Sequence, residues 1–147
     1  GISWKSVVSV YGKLKSLNLQ DFKILFKKNR QFINLQYGNV DEEIETLESE
    51  GYKIYSFDEI NLFSDLDGCM SILKNIDIFV TVSNSTAHIA ASMGIKTFLI
   101  CPKLSSTYFY WSNENNITPW YDNVTIIKVS GSVKKTINYI DKILEKI

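Results

Sequence analysis

The residues best suited to chemistry in this chain form one short polar cluster. It contains the only histidine of the sequence, His88, and four small polar residues just before it: Ser83, Asn84, Ser85 and Thr86. If the cluster opens a helix, unpaired backbone N–H groups and the positive end of the helix dipole favour an anion such as phosphate there. The hydroxyls add donors, and the His88 ring donates or, when protonated, carries charge. A plain helix cap beside a structural histidine is the alternative interpretation.

The flanking sequence predicts that the cluster does open a helix, at one edge of a parallel sheet. Residues 76–82 are a β-branched, nearly continuous apolar run, which is typical of a strand covered on both faces. A helix over residues 87–93 follows, capped by Ser83, Asn84 or Ser85 and ended by Gly94. A second apolar strand, residues 97–101, is closed by Pro102. Such a strand–helix–strand unit predicts a right-handed crossover, with ligands bound beyond the carboxyl ends of the strands.

Strand and helix patterns alternate along the rest of the chain. Four further strands are expected at residues 2–3, 32–35, 52–57 and 124–129, while residues 7–11 either extend the first strand or line a loop. Four further helices are expected over residues 17–29, from a cap at Asn39 to Gly51, from a cap at Ser64 to Leu73, and over residues 133–144. This alternation predicts an α/β fold, a three-layer Rossmann-like sandwich around a mainly parallel sheet of about six strands.

Residues 103–121 form the only long irregular stretch, and they are rich in aromatic side chains. This density argues against disorder, and a loop of this length usually has a function. The aromatics either dock the loop on the core or on a neighbouring domain, or contact a ligand directly.

Composition narrows the classes of protein and partner. The 147 residues are enough for one domain with a sizeable core, and 16 basic residues balance 16 acidic ones. This balance removes any bulk electrostatic argument for nucleic acid or an anionic membrane as a partner. The two cysteines lack metal-type spacing and are expected to be reduced and buried, and no run is long enough to span a membrane. A cytoplasmic setting is expected, without a metal or cofactor.

Several well-known nucleotide-binding and catalytic motifs are absent. No Gly-x-Gly-x-x-Gly follows a strand, no Gly-x-x-x-x-Gly-Lys-Ser/Thr occurs, and there is no Gly-x-Ser-x-Gly elbow. A receiver-like signalling domain needs clustered acidic residues after the first strand, where Ser3, Trp4 and Lys5 stand instead. The chain therefore has no dinucleotide fingerprint, P-loop or serine-hydrolase elbow.

An ordered set of segments resembles the heptosyltransferase family, in particular a bacterial branch found behind tetratricopeptide repeats. The segments are Gly1-Ile-Ser-Trp-Lys-Ser, Phe32-Ile-Asn-Leu-Gln-Tyr-Gly with Asp41-Glu-Glu-Ile, Asp65-Leu-Asp-Gly, Val82-Ser-Asn-Ser-Thr-Ala-His-Ile-Ala-Ala-Ser-Met-Gly and Pro119-Trp-Tyr. The resemblance implies the C-terminal, donor-binding half of a two-domain, type B fold glycosyltransferase. Gly1 opens the chain instead of Met, so we expect a fragment of a larger protein, with residues 1–147 as its nucleotide-sugar-binding domain.

The resemblance also implies which residues hold the donor. Ser3, Trp4 and Lys5 match a first-strand loop that reaches toward the phosphates, Lys15 matches a lysine on the same phosphates, and Gln36 and Gly38 match a second loop. Leu66 falls at the position where members of the family contact the base of the nucleotide. The diphosphate and sugar signature falls on Ser83, Asn84, Ser85 and His88, with Thr86 inside the same segment.

One departure from the family concerns the donor. Many heptosyltransferases carry Asp-Thr-Gly or Asp-Thr-Ala where this chain has Ser83-Asn84-Ser85, so a carboxylate beside the donor is lost. The family's catalytic base lies in the N-terminal, acceptor-binding domain, so the fragment is expected to bind a nucleoside diphosphate sugar without transferring it. In the intact protein the transfer to an acceptor hydroxyl would be inverting. The alternative is a non-catalytic nucleotide-binding or regulatory module that keeps the fold.

Overall fold

A computed structural model describes residues 1–7, 12–102, 109–111 and 118–147, without the side chain of residue 109. Within these residues the chain is an α/β protein whose four strands form one parallel sheet in the order β1-β2-β3-β4. The strands are β1 (Ile2–Ser3), β2 (Ile78–Val82), β3 (Lys96–Cys101) and β4 (Val124–Lys128). The α/β class and the parallel sheet are confirmed. Residues 8–11, part of the stretch left open between strand and loop, lie outside the described residues.

The prediction of about six strands is wrong, because the described sheet has four. The two segments expected at residues 32–35 and 52–57 contribute only isolated parallel bridges, Ile2 with Asn34 and Ile33 with Tyr55. Each bridge rests on two backbone hydrogen bonds, for example Ile2 N to Ile33 O and Leu35 N to Ile2 O, both 2.9 Å. Two bonds do not propagate a ladder, and β1 itself has only two residues. The bridges still place residues 33–34 beside β1 and residue 55 beyond them, on the side away from β2.

Within the described residues, five α-helices and two 3₁₀ helices accompany the sheet. The α-helices are α1 (Gly12–Lys15), α2 (Asp41–Ser49), α3 (Leu66–Leu73), α4 (Ser85–Ser92) and α5 (Val133–Leu144). The 3₁₀ helices are Leu19–Leu25 and Phe109–Trp111. The long helix predicted over residues 17–29 is therefore wrong, since residues 19–25 form a 3₁₀ helix. Its buried side chains Leu19, Phe22 and Leu25 follow a spacing of three, which suits three residues per turn.

The predicted helix ends are partly correct. Asn84 caps α4, and Gly94 follows the helix with φ of +77°, a conformation that favours glycine. Ser132 caps α5 as its sequence position indicates. The other two predicted caps are one residue off: Val40 rather than Asn39 precedes α2, and Asp65 rather than Ser64 caps α3 through the N–H of Gly68.

The helices cover both faces of the sheet, and alternate strand residues divide between the two sides. Val80, Val82 and Ile100 pack with α2, α5 and the 3₁₀ helix Leu19–Leu25. Phe79 packs on the opposite face with residues of α3 and α4, and Leu99 packs there with α4 and Trp111. Both cysteines are buried, as expected. With apolar side chains on both faces, the polar groups concentrate at the ends of the strands.

Candidate functional site at the carboxyl ends of the strands

The side chain of Asn84 joins the end of β1 to the start of α4. Its Oδ1 accepts from the N–H of Ala87 at 3.0 Å, which caps the helix. Its Nδ2 donates to Ser3 Oγ at 2.8 Å and to the carbonyl of Lys5 at 3.2 Å. One amide therefore fixes the loop after β1 against the helix that follows β2.

Gln36 fixes the same loop from the other side. Its Oε1 accepts three hydrogen bonds, from Ser3 Oγ at 2.9 Å, Trp4 N at 2.8 Å and Lys5 N at 2.6 Å. Its Nε2 donates to the carbonyl of Tyr37 at 2.8 Å. The buried Gln36 side chain thus sets the conformation of the β1 loop. We name the group formed by Ser3, Trp4, Lys5, Gln36 and Asn84 the corner network.

The corner network lies where the order of the strands reverses. From one edge, the neighbouring segments are residue 55, residues 33–34, β1, β2, β3 and β4. The chain first moves outward on one side of β1 and then returns to continue on the other side, from β2. In open parallel sheets, this reversal leaves a crevice at the carboxyl ends of the two central strands, where ligands bind. Here the two central strands are β1 and β2. Ser3 is the last residue of β1, and Asn84 follows shortly after the end of β2.

Lys5 and Glu43 form an ion pair at the rim of the corner network, and each side chain keeps about a third of its surface exposed, 36% and 31%. Glu43, on the first turn of α2, also accepts from Trp4 Nε1 at 2.7 Å. The indole of Trp4 is itself buried. The only charged nitrogen of the β1 loop is therefore neutralised by a carboxylate within the chain.

His88 lies in a cage of aromatic side chains. Its Nδ1 is 3.2 Å from the hydroxyl of Tyr121, and its ring stacks on Trp111 with centroids 4.3 Å apart and planes at 27°. Tyr110 meets the ring edge-on at 5.0 Å. Burial lowers the pKa of His88, and the positive charge of Lys15 lowers that pKa further. The ring is therefore neutral at pH 7.

The four residues of the polar cluster divide between buried and exposed positions. Ser83 is buried, and its Oγ accepts from Trp111 Nε1 at 3.1 Å. Asn84 and Thr86 are buried as well, whereas Ser85, the first residue of α4, is exposed. Among the four, Ser85 is the hydroxyl available to solvent.

The remaining predicted residues lie at different distances from the corner network. Lys15, at the end of α1, is buried and close enough to His88 to lower its pKa. Gly38 follows the Gln36 loop with φ of +91°, which favours glycine. Leu66 is 55% exposed on the first turn of α3 and does not line the cavity beside the corner network. Lys15 thus lies near His88 and Gly38 lines the same cavity as Gln36, whereas Leu66 lies outside that lining.

That cavity has a volume of about 350 Å³ and begins at Gln36 and Gly38. Its wall includes three aromatic rings, of which Phe57 and Phe63 are 43% and 76% exposed. The Tyr37 and Phe63 rings are tilted at 51° with centroids 6.0 Å apart. Asn34 and two carboxylates add polar groups. Exposed aromatic rings beside buried amides suit a flat, partly polar ligand group.

A larger cavity, of about 730 Å³, lies at the amino ends of the strands near Ile78 and Arg30. None of the residues predicted for the site lines it.

Within the residues that the structure describes, no group of three or more His, Cys, Asp or Glu side chains is placed to hold a metal ion. In the same part of the chain, no helix combines the length and apolarity needed to cross a membrane.

Sequence reasoning missed three participants. Glu43 lies in the Asp41-Glu-Glu-Ile segment of the resemblance, but nothing local indicates its contact with Lys5, 38 residues away. Trp111 and Tyr121 belong to the aromatic stretch that was singled out, and Trp111 docks on the core as one of the two interpretations expects. Most of that stretch, residues 103–108 and 112–117, lies outside the described residues. The contact of these aromatic side chains with His88 was not predicted.

Comparison with curated proteins finds similarity to protein FlbA of Caulobacter vibrioides, 28% identical over 137 residues. The match covers 84% of this chain but 21% of FlbA, so the chain spans about a fifth of the length of that relative. No family model matches the sequence, and no solved structure matches it.

Proposed function

We propose that this chain is the nucleotide-sugar-binding half of an inverting glycosyltransferase, built as a Rossmann-like domain. One observation carries the proposal: the corner network lies at the reversal of strand order, between β1 and β2. Counting the two bridged segments, the spatial order is 3-2-1-4-5-6, which is the order of a doubly wound nucleotide-binding sheet. The resemblance to heptosyltransferases supplies the donor class.

The diphosphate would lie against the first turn of α4. The Asn84 side chain satisfies the N–H of Ala87, and the N–H groups of that turn that have no partner within the helix belong to Ser85 and Thr86. These groups and the helix dipole favour an anion. Lys5 and the exposed hydroxyl of Ser85 add donors at the rim. Because Asn84 and Gln36 are already hydrogen-bonded within the protein, their role is to hold this arrangement in place before the ligand binds.

The nucleoside would occupy the 350 Å³ cavity beside Gln36 and Gly38. Phe63 and Phe57 offer aromatic surface to a base, and Asn34 and Ser56 offer polar edges. Leu66, the residue matched to the base by resemblance, lies outside this lining, whereas residues 60–63 just before it contribute to the wall. We therefore assign the base to the segment that precedes α3 rather than to α3 itself.

In the intact enzyme, an acceptor hydroxyl would attack the anomeric carbon while the nucleoside diphosphate leaves. The negative charge that develops on the leaving group would be offset by the α4 dipole, a hydrogen bond from His88 and the Lys5 ammonium. The base that removes the acceptor proton would come from the N-terminal domain. This chain alone is therefore expected to bind donor and to catalyse no transfer.

Titration calorimetry of the 147-residue chain with UDP, ADP and GDP tests the proposal. We expect one of the three to bind with micromolar affinity, about −8 kcal/mol. His88→Ala should weaken that binding, while Ser92→Ala, an exposed position at the far end of the same helix, should not. If none of the three nucleotides bound, or if His88→Ala left the affinity unchanged, the assignment of the site would be wrong.

A second candidate function, a non-catalytic nucleotide-binding or regulatory module, is favoured by one feature. The groups that would contact the sugar and phosphates already interact with other residues of the chain. Glu43 forms an ion pair with Lys5, and Trp111 donates a hydrogen bond to Ser83. A module of this kind would bind free nucleoside diphosphate as tightly as its sugar conjugate. A donor-binding domain should distinguish the two, so titration with the matching UDP-, ADP- or GDP-sugar separates the alternatives.

A further inference from the structure

We propose that Tyr121 is a positioning residue that holds His88 in the neutral tautomer with its proton on Nε2. The two side chains are 33 residues apart in sequence, and the Tyr121 hydroxyl lies 3.2 Å from His88 Nδ1. Neither the resemblance nor the comparisons give Tyr121 a role.

The chemistry of the contact determines the direction of the hydrogen bond. A phenol is a weak acid, with a pKa near 10, and its O–H donates readily to an unprotonated imidazole nitrogen. In the part of the chain that the structure describes, Nδ1 is the hydrogen-bond partner found for the Tyr121 hydroxyl. When Tyr121 donates to Nδ1, the neutral ring must carry its proton on Nε2.

Aromatic contacts keep the ring from turning over. Trp111 is fully buried, stacks on one face of the His88 ring, and is itself anchored by its hydrogen bond to Ser83. Tyr110 and Tyr121 approach the ring edge-on, with centroids 5.0 and 5.9 Å from it. A flip that exchanged Nδ1 and Nε2 would break the Tyr121 contact inside this cage. The direction of Nε2 is thus fixed together with the tautomer.

The surroundings also keep the ring neutral. Lys15 is the charged group that acts on His88, and its positive charge disfavours a second positive charge on the ring. Burial and this positive charge both disfavour the imidazolium, so the pKa of His88 lies below its usual range. His88 therefore acts as a neutral donor through Nε2–H rather than as a positive charge.

The use of that donor rests on the proposed function, whereas the tautomer does not. At the first turn of α4, an Nε2–H group would donate to a diphosphate oxygen without a change of protonation. A ring protonated on Nδ1 would instead present a lone pair at Nε2, which repels the same oxygen. Tyr121 would thus select the form of His88 that accepts an anion.

Long-range ¹H–¹⁵N correlation spectra of the ¹⁵N-labelled chain test the tautomer directly, because His88 is the only histidine. At pH 7.5 we expect the wild-type ring to carry its proton on Nε2. Tyr121→Phe removes only the hydroxyl and should produce a mixture with a clear Nδ1–H population. Tyr139→Phe, on the exposed side of α5, is the matched control and should keep the wild-type spectrum.

Two results would overturn the inference: a wild-type ring protonated on Nδ1, or the same tautomer ratio in Tyr121→Phe as in the wild type. The wild-type spectrum decides the first even if the variant folds poorly. UDP, ADP and GDP titrations separate this inference from the proposed function. If one of these nucleotides binds, Tyr121→Phe should lower the affinity for it about three- to tenfold. If none binds while the tautomer changes as expected, the positioning role stands and the proposed function fails.

Discussion

Asn84 donates a hydrogen bond to the hydroxyl of Ser3, 2.8 Å away and 81 residues earlier in the chain. The same side chain caps α4, so Asn84→Ala removes both a cap and a link between two strand ends. We expect this variant to lose about 1–3 kcal/mol of unfolding free energy, since a cap contributes about 1 kcal/mol and a buried hydroxyl loses its partner. Urea unfolding measures the loss.

Asn84→Asp separates the two roles of this side chain. A carboxylate still caps the helix but cannot donate to Ser3 or to the carbonyl of Lys5, so we expect an intermediate loss together with weaker nucleotide binding. Asn75→Ala, at an exposed position beyond α3, is the control and should change the unfolding free energy by less than about 0.5 kcal/mol. Equal stability of Asn84→Ala and the wild type would show that the link contributes nothing.

Local sequence patterns predict part of the contact that Asn84 makes between the end of β1 and the start of α4. The apolar run of β2, the small polar residues after it and Gly94 are enough to place a strand, a capped helix and its end. Of the three candidate caps, only Asn84 has two donor hydrogens in addition to its acceptor oxygen, and its partners Ser3 and Lys5 depend on tertiary structure. The bridges at residues 33–34 and 55 show the same limit. Their segments have strand-like sequences, but how many residues pair depends on the short β1 beside them.

Glu43→Gln should release Lys5 and tighten the binding of a nucleoside diphosphate. A neutral amide still accepts from Trp4 Nε1 but no longer competes with phosphate for the Lys5 ammonium. Because both side chains are about a third exposed, the ion pair contributes at most about 1 kcal/mol, and we expect a gain in affinity of about two- to fivefold. Calorimetry at low ionic strength measures the gain.

Glu45→Gln removes one negative charge from the exposed side of the same helix and serves as the control. Added salt should reduce the difference between Glu43→Gln and the wild type, since the effect is electrostatic. If Glu43→Gln bound nucleotide more weakly than the wild type, the carboxylate would be part of the ligand site and not a competitor for Lys5.

Phe63→Ala should weaken nucleotide binding if the base occupies the cavity beside Gln36. The Phe63 ring is 76% exposed at the cavity wall, so its removal should cost little stability. Stacking of a base on an aromatic ring contributes about 1–3 kcal/mol, which corresponds to at least a fivefold loss of affinity. Leu66→Ala, at an exposed position outside the cavity lining, is the control. If only Leu66→Ala lost nucleotide affinity, the base would lie against α3, where the resemblance places it.

The residues of the site differ in how far the sequence reveals them. His88 is conspicuous because it is unique and stands in the first turn of a predicted helix. Its aromatic neighbours come from a stretch without periodicity, so no pattern assigns Trp111 or Tyr121 to it. Glu43 lies on a helix whose apolar stripe is predictable, but the Lys5 contact depends on how that helix packs beside β1. Polar contacts between distant segments are fixed by packing, which local sequence does not encode.

Asp141, on α5, should make the fold sensitive to acid. Its Oδ1 accepts from Arg30 Nη1 at 2.6 Å, and its Oδ2 lies 2.7 Å from Lys27 Nζ. Burial alone would raise the pKa of this carboxyl, but the hydrogen bonds from Lys27 and Arg30 outweigh it, so the pKa lies below its usual value. A carboxyl whose pKa is lowered on folding stabilises the protein above its unfolded pKa, near 3.9, and this contribution is lost as pH falls toward the folded value.

Asp141→Asn should therefore lose about 1.5–3 kcal/mol at pH 7, because Arg30 keeps its place without a charged partner. The difference from the wild type should be constant above about pH 5 and should shrink below about pH 4, as the carboxyl of the unfolded wild-type chain takes up its proton. Urea unfolding between pH 3 and pH 7 follows both variants. Asp58→Asn, at an exposed position, is the control and should track the wild type throughout. A difference between Asp141→Asn and the wild type that stayed constant down to pH 3 would mean that the contacts with Lys27 and Arg30 do not lower this pKa.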